Sequence, residues 1–80
     1  MKKLDEISNP RSCLNHAADD EPLFVLRAND ELAPSVVRQW AQAYLILKGG
    51  SGKMSREQLA KCDEAMLIAN RMEKWKRDNP

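Results

Sequence analysis

Apolar and polar positions change their rhythm along the 80-residue chain, and each rhythm predicts an element. From Ala33 to Leu47 the period is helical. Val36, Trp40, Ala43, Tyr44 and Leu47 share one face, Val37 and Ala41 widen it, and Arg38, Gln39 and Gln42 stand opposite. Pro34 suits the first turn of such a helix, where its missing N–H costs nothing. Gly49-Gly50-Ser51-Gly52 stops it, with Gly49 placed to supply a left-handed cap. A second helical period follows. Leu59, Cys62, Met66, Ala69 and Met72 run down one side with Ala65 and Ile68 beside them, while Lys61, Glu64, Arg71 and Lys74 lie outside the stripe. Ser55 followed by Gln58 has the spacing of a capping box, and a helix over about 56–76 is predicted. A turn of about six residues between two long helices implies antiparallel neighbours.

The first third of the chain is less regular. Residues 1–11 read as a polar arm ending in Asn9-Pro10. Ser12 is placed to cap a short helix through about Ala18, and Asp19-Asp20-Glu21-Pro22 ends it, because the residue before proline avoids the helical region. Leu23-Phe24-Val25-Leu26 is a continuous apolar run, and periodicity alone does not separate a buried strand from a buried helical turn. With no second strand-like run to pair with, the expectation is a helix or an extended buried loop. The predicted architecture is an all-α bundle of about three helices: a short N-terminal one and two long antiparallel ones. Residues 12–80 form the single helical domain behind the polar arm.

Composition narrows the function classes. A chain this short has room for one domain, and it buries only about 60% of the surface its unfolded form exposes. The 42% hydrophobic fraction is too high for a disordered tail. No apolar run approaches the roughly 18 residues of a membrane span. The start, Met1-Lys2-Lys3-Leu4-Asp5-Glu6, turns acidic at once and lacks the apolar core of a secretory signal. Two cysteines, Cys13 and Cys62, fall short of the several pairs that staple small secreted domains. Two free thiols in a reducing cytoplasm are expected, with a Cys13–Cys62 bridge as the alternative. The net charge of +1 conceals a division: residues 1–35 sum to −3 and residues 36–80 to +4. That pattern disfavours a wholesale polyanion binder and allows a dipolar surface.

Candidate chemistry is sparse. Gly49-Gly50-Ser51-Gly52-Lys53 lacks the spacing of a phosphate loop. Leu47 stands where the first glycine is needed and Met54 where a serine or threonine is, and a helix precedes it instead of a strand. Cys13 and His16 would share a helical face, with Cys62 as a third soft ligand, but a structural zinc would need Asp19 or Asp20 as a fourth. The plainer reading makes both cysteines small buried hydrophobes and His16 a surface or helix-end residue. A Cys–His nucleophile pair would need a lowered thiol pKa, an orienting group and a pocket. A non-enzymatic protein without metal or cofactor is therefore expected. The acidic group Asp19, Asp20 and Glu21, with Asp30 and Glu31, brackets the apolar run. It caps helices and keeps the run soluble, or forms a negative rim around a binding surface. Arg71, Lys74, Lys76 and Arg77 surround Trp75 at the end of the last helix. Cations there complement the helix dipole, or they touch phosphate or an acidic protein. Lys48, Lys53, Arg56 and Lys61 would extend them into a stripe. A pI of about 7.8 falls short of the usual nucleic-acid footprint above ~9, and the turn is too long and glycine-rich for a helix-turn-helix.

One string is distinctive. Ser12-Cys13-Leu14-Asn15, Ala17 through Asp30, Ala33-Pro34, Val37-Arg38, Trp40-Ala41 and the end from Ala65 to Trp75 resemble a group of small uncharacterised bacteriophage and prophage proteins. The Lys48-to-Lys53 turn is longer and more basic than that pattern. The resemblance carries no catalytic or ligand residues with it. It implies a phage setting, where small helical proteins act stoichiometrically as anti-CRISPR and other anti-defence inhibitors or as small regulators. The leading expectation is an inhibitor that docks on a host protein or ribonucleoprotein complex and blocks its nucleic acid. Arg56, Lys61, Arg71, Lys74 and Arg77 would contact the partner, or Asp19, Asp20 and Glu21 would compete for its basic groove. The alternatives are a DNA- or RNA-binding regulator and a virion or morphogenesis component. A core this small also leads to the expectation of a homodimer, with Trp40, Tyr44 and Phe24 as core or dimer anchors.

Overall fold

The structure, a computed structural model, describes residues 2–80. Among these residues all regular structure is helical: α1 (Lys3–Ser8), α2 (Cys13–His16), α3 (Ala33–Leu47), a 3-10 turn (Ser51–Lys53) and α4 (Arg56–Asp78). The fold is all-α, with α3 and α4 packed as an antiparallel hairpin. None of the helices is long and apolar enough to cross a membrane.

The ends of the two long helices follow from local chemistry. Ser55 Oγ accepts from the Gln58 N–H at 3.1 Å and Gln58 Oε1 accepts from the Ser55 N–H at 2.9 Å, so the capping box is complete. At the end of α3 the Gly50 N–H donates to the Leu45 carbonyl and the Gly49 N–H to the Ile46 carbonyl. Gly49 has φ +84°. This is a Schellman cap, and it satisfies carbonyls that the helix end would otherwise strand.

The seam of the hairpin is built from small side chains. Ala33 and Ala41 on α3, with Cys62 and Ala69 on α4, are buried, and among the described residues no large side chain is fully buried. On α4 the buried and half-buried positions 58, 62, 65, 69, 72 and 76 alternate steps of four and three, a heptad rhythm, with the half-buried 59 and 68 beside them. Cys62 Sγ sits 3.9 Å from the Ala41 carbonyl oxygen, which marks close backbone approach at mid-seam. The predicted α3 stripe is therefore off-centre. Trp40 is 44% exposed and Leu47 77%, and Val36 is also exposed. These residues lie roughly 100° around the α3 axis from the seam. Bulky side chains would hold the two backbones apart, whereas the alanines let them close. Tyr44 is half-buried at the seam edge, where its ring stacks on Trp40 with centroids 5.2 Å apart.

The first third departs further from expectation. The polar arm contains α1, and α2 is one turn that ends at His16 and stops short of Ala18. Ser12 and Asn15 tie the two together. Ser12 Oγ donates to the Glu6 carbonyl at 2.6 Å and accepts from the Asn15 N–H. Asn15 Nδ2 lies within 3.0 Å of the Glu6, Ile7 and Asn9 carbonyls. These side chains close the C-terminal end of α1, which has too few residues to be stable alone. Leu23–Leu26 is neither helix nor buried loop. It has no regular secondary structure, and only Leu26 is half-buried. Phe24 is 86% exposed and Val25 73%, so Phe24 is not a core anchor.

Candidate docking surface

The residues singled out from the sequence fall on separate parts of the molecule. Arg56 and Lys61 lie near the start of α4, while Arg71, Lys74 and Arg77 lie near its end, about 15–30 Å away along the axis. Asp63, Glu64 and Asp78 interrupt the exposed side of the helix, so the predicted basic stripe is a mixed-charge face. Lys74 is paired with Asp78 at 3.1 Å. Lys76 donates to Asn29 Oδ1 at 3.0 Å and ties the loop before α3 to the end of α4. Lys48 is drawn onto α3, its Nζ lying 5.5 Å from the centre of the Tyr44 ring.

The cysteines also separate. Cys62 is buried, as a small hydrophobe should be, but Cys13 is exposed, and both thiols are free. His16 is exposed in the last turn of α2. Among the described residues, no three His, Cys, Asp or Glu side chains converge to hold a metal ion.

One charged cluster was not legible in advance. Arg38 leaves α3 and donates to Asn70 Oδ1 at 2.8 Å and to the Glu73 carboxylate on α4. The hydrogen bond from Arg38 holds the Glu73 carboxyl below its ordinary range, against the opposing effect of desolvation. The charges of Arg38 and Arg77 add to the lowering. The same bond raises the Arg38 pKa. This pair borders an open cleft of about 410 Å³ between the start of α3 and the end of α4, which Asp30, Lys76 and Arg77 also line. The cleft carries both signs of charge, and its best-placed cation is already committed to Glu73. Its evident work is to clasp the hairpin. The sequence signal was Arg38 on the supposedly solvent-facing side of α3, which periodicity assigns to water.

The acidic residues stand next to the apolar run in the chain. Asp19, Asp20 and Glu21 are exposed, and after Pro22 comes the exposed Leu23-Phe24-Val25, which has no regular structure. A shallow cleft of about 180 Å³ separates this segment from Glu6, Cys13 and Leu14. Among the described residues, the backbone N–H groups from Leu23 to Leu26 have no intramolecular hydrogen-bond partner. The arrangement is an exposed apolar segment outside regular structure, with unbonded backbone donors among the described residues and an acidic stretch before it in the chain. Such a segment can add to a sheet edge or lie in a groove of another molecule. No family model, curated protein or solved structure matches the chain.

Proposed function

We propose that this chain is a small non-enzymatic phage-type protein that binds a macromolecular partner stoichiometrically, as an anti-defence inhibitor. It docks through the acid-rimmed segment 19–26. The carrying observation is that Phe24 and Val25 stand in water on a segment without regular structure that follows Asp19, Asp20 and Glu21 in the chain. Covering such side chains returns about 1.5–3 kcal/mol each. The carboxylates select a basic surface, and basic surfaces are where host complexes hold nucleic acid. Occupying one blocks access of DNA or RNA. The dispersed cations of α4 favour this reading over direct nucleic-acid binding.

The test is relief of immunity. Expression in hosts carrying different CRISPR and other defence systems is expected to restore plaquing against at least one of them. The target complex should then co-purify with the chain in fixed stoichiometry. Phe24→Asp, and the triple reversal of Asp19, Asp20 and Glu21 to lysine, should abolish both effects. No relief across several system types rejects the proposal. A gel shift with a steep salt slope would establish a nucleic-acid regulator instead, and co-purification with virion proteins would establish a structural role.

A further inference from the structure

We infer that two copies of this chain pair through one face of the α3–α4 hairpin to form a four-helix bundle. The first observation is area. A compact folded monomer of 9.1 kDa exposes about 4,900 Å², whereas this chain exposes 6749 Å². Its radius of gyration is 13.8 Å, against about 11.6 Å for a compact 80-residue domain. The excess is about 1,850 Å² per chain. A standard interface takes about 800 Å² from each partner and an obligate homodimer takes more, so the excess accommodates a stable dimer interface.

The second observation places the interface. Arg38 meets Asn70 and Glu73 on one side of the hairpin seam. Val36, Trp40 and Leu47 lie on the other side of α3, and helical phase puts Ile68 and Trp75 on that same side of α4. All but the half-buried Ile68 are exposed, Trp75 at 47%. The three α3 residues extend over about 16 Å. Stacking on Tyr44 holds the Trp40 ring, so little side-chain entropy is lost when it is covered.

The third observation selects the occupant. On α4 this face also carries Glu57, Lys61, Glu64 and, at its outer edge, Arg71, two charges of each sign. A two-fold axis brings the same surface against itself, so a face of one sign would repel its own copy. A charge-balanced face suits a second copy better than a strongly charged partner. The dimer anchors are then Trp40, Trp75, Val36 and Leu47, and Phe24 stays outside.

Sedimentation equilibrium and thermal melting at several concentrations test this. The wild-type chain should sediment at twice 9.1 kDa in the micromolar range, and its Tm should rise with concentration. Trp40→Glu and Leu47→Glu should each yield the single-chain mass with helical circular dichroism retained. If Trp40→Glu fails to fold, Leu47→Glu decides, because that side chain is the more exposed. A wild-type chain that sediments at 9.1 kDa with a concentration-independent Tm overturns the proposal. So does a dimer that survives both substitutions. Phe24→Asp should leave the dimer intact, which separates this interface from the docking segment above.

Discussion

Arg38 and Glu73 show how one pair of side chains sets the pH response of the hairpin. The native Glu73 carboxyl titrates below its ordinary value of 4.5 because Arg38 donates to the ionised form. The native state therefore binds its proton less readily than the unfolded chain does. The resulting stabilisation is present above the ordinary glutamate range and is lost as pH falls through the lowered native value. Both side chains are partly exposed, so salt screening weakens the pair. Glu73→Gln should lower the Tm at neutral pH and have a smaller effect at acidic pH, as the wild-type carboxyl takes up its proton too. Equal Tm losses at both pH values would assign the effect to packing. Arg38 stays charged throughout, so Arg38→Lys should keep the same pH profile while losing the reach to Asn70. A second residue-scale test concerns Asn15. Replacing it by alanine removes the donor that closes α1 and should cost about 1–2 kcal/mol. The loss should register as faster amide exchange in α1, not as a change in the hairpin.

At the scale of elements, the turn between α3 and α4 separates backbone strain from space. Gly49 sits at φ +84°, a left-handed position that non-glycine residues occupy at a cost of about 1–2 kcal/mol. Gly50, at φ +95° and ψ +169°, lies in a region nearly confined to glycine, where the cost is about 1–3 kcal/mol. An added Cβ at Gly49 would come 3.1 Å from the flexible Lys53 side chain, and at Gly50 it would meet nothing within 4 Å. Steric space alone predicts that Gly49→Ala is the worse change. Backbone geometry predicts that Gly50→Ala is. Thermal melts of the two, with Gly52→Ala as the neutral control, distinguish the two accounts, and the backbone order is expected. The helix limits themselves were readable from sequence because their signals are local: Pro34, the Ser55–Gln58 box and Gly49 each act within one turn. The rotation of the seam was not readable. Apolar residues cover a wide arc of α3, and Ala33 and Ala41 took the seam because they permit close approach, while the larger Trp40 and Leu47 were left outside. Helix α1 was missed for a related reason. It depends on Ser12 and Asn15, six to nine residues away from the carbonyls they bind.

The whole molecule is uneven in its stability, and that unevenness is itself testable. The hairpin holds nearly all the buried side chains: Ala33, Ala41, Cys62 and Ala69, with Met54 in the turn. The N-terminal third holds one, Ser12, and its helices touch mainly each other. Between them runs the segment Leu23–Leu26, outside regular structure, with mostly exposed side chains and unbonded amides among the described residues. Local opening free energy approaches zero where burial and hydrogen bonding are absent, and it approaches the global value in a packed seam. The amides of Phe24 and Val25 should therefore exchange faster than those of Ala41 and Ala69 by a factor of at least ~10³. Trypsin should cut after Arg27 before it cuts after Lys53, whose neighbour Met54 is buried. Bound as an added strand on a partner, the same amides from Leu23 to Leu26 would gain hydrogen bonds and slow sharply. Exchange measured on the free chain and on its complex thus reads both states of one segment. Protection of Leu23–Leu26 already present in the free chain would remove the unbonded segment on which the docking proposal rests. An unchanged fast rate in the complex would move the contact elsewhere on the molecule.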